Sequence, residues 1–135
     1  MWLNRNHHVP AIALIVLCAL LGGFSGVVWG YLVSTVLLWH ATYTINSLAH
    51  TWGTRRYDTA DTSRNNLWLA LLTLGEGWHN NHHHFCAAAR QGFRWWEIDI
   101  TYYALRALQA VGLVWEIREP PAHVTAPRGE TREAA

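Results

Sequence analysis

A run of 49 residues without a single Asp, Glu, Lys or Arg, between Arg5 and Arg55, is the feature that most constrains how this chain can fold. One membrane-spanning helix needs about 20 apolar residues, so the run is long enough for two. The stretch GGFSG, residues 22–26, favours a reversal between spans at residues 10–21 and 27–50. The sequence therefore predicts an all-α membrane protein that begins with a helical transmembrane hairpin over residues 1–54.

A secretory signal peptide is the rival interpretation of this segment, because Arg5 precedes an apolar stretch that ends in small residues. The apolar run continues well past the supposed cleavage point, which favours the hairpin. A hairpin leaves both of its ends on one side of the membrane. Arg5 at one end, with Arg55, Arg56 and Arg64 at the other, predicts that this side is the cytoplasm, because cytoplasmic loops carry an excess of positive charge.

The remainder of the chain predicts a cytosolic helical cap over residues 55–118 and a disordered tail over residues 119–135. The cap contains LWLALLTL, too short to cross a bilayer, and an amphipathic surface helix within residues 90–118. The tail has three prolines and few large apolar side chains. With all ten basic residues being arginine and a net charge of +1, the chain offers no basic surface for a nucleic acid.

Four of the nine histidines fall within residues 79–84. His79, His82 and His83 are spaced i, i+3 and i+4, which places them on one face of a helix. Imidazole suits Zn, Cu, Fe or Ni, so this spacing predicts a transition-metal site in the cap without choosing the metal. His84 points about 100° further round and is left out. A lone histidine is more often a hydrogen-bonded structural residue, but three at this spacing favour a ligand role.

Ligands from one helix cannot enclose an ion, so a second element is expected to contribute. His50 ends the second predicted span, four residues after Asn46, and this spacing lets both side chains point the same way. The alternative for His50 is a simple interfacial position at the mouth of the membrane helix.

Four stretches of the chain carry a family resemblance: NSLAH (46–50), RRYDTADTSRNN (55–66), LTLGEGWHNNHH (72–83) and WWEIDITYY (95–103). Up to about Arg118, the chain resembles the C-terminal half of the membrane-bound acyl-CoA desaturases of the delta-9 or stearoyl-CoA group. It is similar to a bacterial member without a fused cytochrome b5 domain.

The resemblance implies a di-iron centre on the cytoplasmic side of a bacterial cytoplasmic membrane. Its ligands here would be four histidines, with an asparagine that reaches a metal through water: His50, His79, His82, His83 and Asn46. Thr42 and Tyr43 match positions beside the acyl-chain tunnel. Glu76, Asp58 and Asp99 are the acidic candidates for orienting the rings, with a surface charge or helix cap as the alternative for each.

The activity implied by the resemblance is the O2-dependent introduction of a cis double bond into a fatty acyl chain. The acyl group would be carried by CoA or another carrier, and electrons would come from a ferredoxin or from cytochrome b5 with a reductase. The family's HxxxxH and first HxxHH boxes do not occur before His50. We therefore expect a truncated chain or one part of a split enzyme, inactive without a separate N-terminal half and in contact with membrane lipid.

Three other functions remain as alternatives: a histidine-box hydroxylase or ketolase, a non-catalytic membrane metal-binding or haem protein, and an inert fragment. The pairing of NSLAH with GEGWHNNHH favours the desaturase over the hydroxylases. Haem would need axial histidines that face each other inside the membrane, and among these residues His40 alone lies deep enough in a predicted span.

Overall fold

The computed structural model describes residues 2–126, with only the backbone of Leu3, and these residues form helices and loops without a β-strand. The prediction of a helical protein is thus confirmed for them. The α-helices are Trp2–Arg5 (α1), His8–Val27 (α2), Ser34–Ser47 (α3), Leu67–Leu72 (α4), His79–His84 (α5), Ile100–Ala110 (α6) and Ala122–Thr125 (α7). A π-helix, Val28–Val33, joins α2 to α3, and a 3₁₀ turn, Leu48–His50, follows α3.

The predicted apolar run forms one long helical stretch, His8–His50, which is long and apolar enough to cross a membrane by length and composition. None of the residues in α2 is buried. At 43 residues, the stretch is about twice as long as one crossing requires. Its helical conformation is interrupted at Gly23, which has φ 58° and ψ −146°, angles that glycine adopts without steric cost.

Close packing follows the interruption at Gly23. A Cβ on Gly26 would overlap the carbonyl oxygen of Cys18, and one on Gly30 would lie 2.8 Å from Cys18 Sγ. In a straight helix, Cys18 and Gly26 would be about 12 Å apart. The helix therefore folds back on itself at Gly23, inside the GGFSG stretch where the sequence predicts a turn.

The chain divides into two compact units, Met1–Ala41 and Thr42–Ala135. Within the second unit, Ile45, Ala49 and Leu69 form a small apolar cluster, and as many polar residues as apolar ones are buried, eight of each among the described residues. The buried polar residues are Ser63, Asn65, Asn66, His79, Asn80, Asn81, Glu97 and Asp99. Polar groups are buried only where hydrogen bonds compensate for their lost hydration, so this part of the chain is held by a polar network.

Caps and backbone angles set the ends of two helices in the second unit. Helix α4 is capped by Asn66, whose side chain accepts hydrogen bonds from the backbone N–H groups of Trp68 and Leu69. The helix expected within residues 90–118 is limited to Ile100–Ala110, because Asp99 caps its start and Gly112, at φ 75°, follows its end. In the predicted tail, Ala122–Thr125 forms one helical turn, and residues 127–135 lie outside the described residues.

Candidate metal centre

The helix that carries the histidines, α5, begins at His79 with a cap supplied from a distant loop. Its N-cap residue, Trp78, makes no side-chain capping bond. Instead, the side-chain oxygen of Asn65 accepts hydrogen bonds from the backbone N–H of Asn80 at 2.9 Å and of Asn81 at 3.1 Å. Gly77 lies against the backbone of Ala70 in α4, with no room for a Cβ. These contacts fix where α5 starts and how its histidines are directed.

Three imidazole rings converge at α5. The Nε2 atom of His79 lies 3.1 Å from Nε2 of His50 and 3.0 Å from Nε2 of His83. One ligand atom from each of the three rings lies within 4.8 Å of the others, so the group could hold a metal ion. Two nitrogens bound at right angles about 2.1 Å from one ion are about 3.0 Å apart, so the spacing fits neighbouring metal ligands. We call His50, His79 and His83 the histidine triad.

The other two histidines of α5 lie outside the triad. The ring of His82 is half-buried, with its centroid 5.9 Å from that of His79 and 5.6 Å from that of His83. The ring of His84 stacks on the buried Tyr57, with centroids 3.9 Å apart and planes within 3°. His84 thus contacts a packing residue, in keeping with its omission from the predicted ligands.

The protonation of the site suits a metal. Burial, followed by the neighbouring imidazoles of His83, His50 and His82, lowers the pKa of His79 to about 4. Burial and His83 also lower the pKa of His82. Both rings are therefore neutral at neutral pH, and a neutral imidazole has the lone pair that a metal ion binds. The Nδ1 atom of His79 is buried and has no hydrogen-bond partner among the described residues.

Asp61 and Thr62 contact the outer nitrogens of the triad. Asp61 Oδ2 lies 2.5 Å from Nδ1 of His83, and Thr62 Oγ1 lies 3.3 Å from Nδ1 of His50. Burial alone would raise the pKa of the Asp61 carboxyl, but hydrogen bonds from Ser63 and Thr59 and the nearby His83 hold it well below the usual range. Asp61 is therefore a carboxylate at neutral pH.

The carboxylate on a triad ring is thus Asp61, which is not among the acidic residues that the sequence predicts to orient the rings. Of the three acidic residues expected to orient the rings, Asp99 caps α6. Asp58 lies 3.9 Å from Arg55. Glu76 is exposed and acts on His82 through its charge, favouring the protonated ring. Nothing local could have singled out Asp61, since it precedes His83 by 22 residues.

The two asparagines between the histidines of α5 anchor the helix to the flanking loops. The Asn80 side-chain oxygen accepts from the backbone N–H of Arg56 at 2.8 Å and of Tyr57 at 2.7 Å. The Asn81 side-chain nitrogen donates to Glu97 at 2.8 Å. Both asparagines are fully buried. Hydrogen bonds of Asn80 and Asn81 therefore fix α5, which carries His79 and His83, to the segments that precede and follow it.

The remaining predicted site residues lie on α3. Asn46 is exposed, and the described contacts include none between its side chain and the triad. Thr42 and Tyr43 are also exposed on this helix. The role of Asn46 through water, and of Thr42 and Tyr43 beside an acyl chain, stay predictions.

The described structure is thus that of a helical chain with one long apolar helix and a histidine group able to hold a metal ion. The family model for fatty acid desaturases matches residues 1–118. The chain belongs to the fatty acid desaturase family.

The relatives of the chain include desaturases whose names specify an acyl-CoA and others whose names specify an acyl lipid. The chain is 46% identical over 119 residues to the icosanoyl-CoA 5-desaturase of Limnanthes douglasii, covering 88% of this chain and 33% of that protein. It is 41% identical over 130 residues to the sn-2 palmitoyl-lipid 9-desaturase of Nostoc sp. (strain 36), covering 96% and 44%. It is 51% identical over 100 residues to delta-9 acyl-lipid desaturase 2 of Arabidopsis thaliana, covering 74% and 33%. The chain therefore spans less than half the length of each.

Proposed function

We propose that this chain is the C-terminal part of an O2-dependent di-iron fatty acyl desaturase, which introduces a cis double bond into an acyl chain. The observation that supports this function best is the convergence of the three Nε2 atoms of the histidine triad within a segment that matches the desaturase family. Bound at this site, a pair of iron ions would supply the reduction of O2 that removes two hydrogens from neighbouring methylene groups.

The residues of this chain hold and direct those ions. The triad would hold one of them through its Nε2 atoms, and the offset ring of His82 would be available to the other. Asn46 would act through a water molecule, and Thr42 and Tyr43 would lie beside the acyl chain. Three or four imidazoles do not saturate two irons, and we propose that a separate N-terminal half supplies the other ligands.

We propose that the long apolar helix crosses the membrane twice, as a hairpin that turns near Gly23. The fold-back at this residue and the length of the helix both support two crossings. The arginines beyond each end of the apolar run support a triad at the cytoplasmic face. The membrane we propose is a bacterial cytoplasmic membrane. The histidine-bearing helices form a cytosolic cap.

The substrate class is a fatty acyl chain carried by CoA or by a lipid. Both carriers occur in the names of the relatives, and position 9 occurs in two of the three described above. Within this class, we propose that the double bond is introduced at position 9, as in the delta-9 or stearoyl-CoA desaturases. Electrons come from a ferredoxin, or from cytochrome b5 with its reductase.

A chimera tests the function. The segment of the Nostoc 9-desaturase that aligns with this chain is replaced by this chain, and the chimera is expressed in a host that makes no unsaturated fatty acids. We expect gas chromatography of total lipids to show a new cis-monounsaturated fatty acid, and metal analysis of the purified chimera to show iron.

Three substitutions sharpen the test. His50→Ala, His79→Ala and His83→Ala are each expected to abolish the product and lower the iron content, because each removes one converging nitrogen. His84→Ala is the matched control, since His84 lies on the same helix but stacks on Tyr57; it should retain both. Full activity in His79→Ala would refute the ligand assignment.

A further inference from the structure

Asp61 uses its two carboxylate oxygens for different purposes. Oδ1 holds the local loop, accepting hydrogen bonds from the backbone N–H of Ser63 at 2.8 Å and from Thr59 Oγ1 at 3.2 Å. Oδ2 faces the other way, 2.5 Å from Nδ1 of His83. The loop is closed by the first oxygen, so the second contact is not needed to shape it.

The next residue makes a parallel contact. Thr62 Oγ1 lies 3.3 Å from Nδ1 of His50. Two consecutive residues therefore contact the outer nitrogens of two different triad rings, which come from separate parts of the chain. In both rings the other nitrogen, Nε2, is the atom that converges on His79.

These contacts determine which nitrogen carries the ring hydrogen. A neutral imidazole has one N–H and one lone pair, and a carboxylate can only accept a hydrogen bond. With Asp61 against Nδ1, the hydrogen of His83 is held on Nδ1 and the lone pair is left on Nε2. A hydroxyl can donate or accept, so Thr62 can accept a hydrogen bond from the Nδ1–H form of His50 but does not impose that tautomer by itself. Outer hydrogen bonds of this kind fix ring tautomer and orientation at metal sites.

We propose that Asp61 and Thr62 are positioning residues, which preset the Nδ1–H tautomers of His83 and His50 so that both Nε2 lone pairs face one metal ion. The proposal rests on the proposed function in so far as the triad binds iron. The tautomers themselves exist before any metal binds, and this allows the two ideas to be tested separately.

Asp61→Asn is the decisive substitution because it is isosteric. If its amide oxygen keeps the loop contacts to Ser63 and Thr59, its NH2 group faces His83. An NH2 group donates, so it requires Nδ1 of His83 to accept and moves the hydrogen to Nε2. If the amide flips, its NH2 group meets the donating N–H of Ser63 instead. The first orientation reverses the hydrogen bond to His83, and the flipped one sets two donors against each other and is disfavoured.

The measurement uses the 135-residue chain in detergent micelles, with its histidine rings labelled with ¹⁵N. Long-range ¹H–¹⁵N correlations in the metal-free chain report the tautomer of each ring, and Fe²⁺ titration under anaerobic conditions reports affinity. We expect Asp61→Asn to shift His83 to the Nε2–H form and to weaken Fe²⁺ binding by about 10–100-fold. Thr62→Val should shift His50 in the same sense with a smaller loss of affinity.

Thr59→Val is the matched control. It removes the hydroxyl that donates to Asp61 Oδ1 and leaves Oδ2 against His83. We expect lower thermal stability but unchanged tautomers and Fe²⁺ affinity. If Thr59→Val shifts the His83 tautomer as much as Asp61→Asn does, the effect is general loosening of the loop and the proposal is wrong.

Two other results would bear on the positioning role of Asp61. Wild-type His83 in the Nε2–H form, or wild-type affinity in a folded Asp61→Asn chain, would overturn the positioning role. Should Asp61→Asn fail to fold, the His50 tautomer in Thr62→Val decides, and an unchanged tautomer would count against the proposal. If the wild-type chain alone binds no Fe²⁺, the metal-free tautomers still decide this inference, and iron in the chimera separately tests the proposed function.

Discussion

Glu97 shows how single residues hold the candidate metal centre in place. Its side chain is fully buried. It forms an ion pair with Arg56 and accepts hydrogen bonds from the Asn81 side chain at 2.8 Å and from the backbone N–H of Arg94 at 3.0 Å. One carboxylate therefore joins α5 to the loops on either side of it.

We predict that Glu97→Gln destabilises the chain by about 3 kcal/mol, because it leaves Arg56 without its buried counter-charge. The amide also presents an NH2 group to partners that are themselves donors. The loss appears as a lower midpoint of thermal unfolding, followed by circular dichroism in detergent micelles. Glu116→Gln, at an exposed carboxylate, is the control and should unfold at the wild-type temperature. Equal midpoints for both variants would contradict this role of Glu97.

At the residue level, the sequence predicts which side chains share one face of a helix. It does not predict contacts between residues that are far apart in the chain. The spacing of His79 and His83 follows from one helix, and the structure brings these two rings together with His50. Asp61 and Glu97 contact α5 from 16 or more residues away. No periodicity within α5 or the loops contains that information, because the contacts exist only after the loops have packed.

At the scale of elements, the long apolar helix depends on small residues where it folds back. Gly23 supplies the left-handed backbone angle, and Gly26 and Gly30 lie against Cys18. Glycine content could predict a turn in residues 22–26. It could not predict that Gly30, beyond the turn, is also a packing position, since that depends on which turns of the two helical segments meet.

We predict that Gly26→Ala destabilises this unit by about 1–3 kcal/mol, the usual result of inserting a methyl group into a closely packed site. The added Cβ would overlap the Cys18 carbonyl oxygen, so the two helical segments must move apart. Gly22→Ala is the matched control, because no atom lies within 4 Å of its Cβ position and alanine favours the helix. Thermal unfolding in micelles compares the two, and a Gly26→Ala chain as stable as Gly22→Ala would contradict the packing described here.

At the scale of the whole molecule, the described residues combine strongly exposed large apolar side chains with fully buried polar ones. Leu20, Leu21 and Phe24 near the fold-back are 80%, 80% and 85% exposed, whereas the fully buried side chains include Asn80 and Asn81. Exposed apolar surface of this kind marks contact with a membrane or a partner, and a helix satisfies its own backbone within lipid. Composition alone predicts the membrane; the buried polar network required the structure.

The proposed double crossing predicts a particular pattern of chemical labelling. In a background of Cys18→Ala and Cys86→Ala, cysteine is introduced as Asn4→Cys before the apolar helix, Ser25→Cys at the fold-back, or Ala60→Cys after it. A membrane-impermeant maleimide added to intact spheroplasts should label only Ser25→Cys, because a hairpin has both ends in the cytoplasm. Asn4→Cys and Ala60→Cys should react after permeabilisation, which also controls for expression. A single crossing would instead leave Asn4→Cys and Ala60→Cys on opposite sides, so labelling of either one in intact spheroplasts would exclude the hairpin orientation.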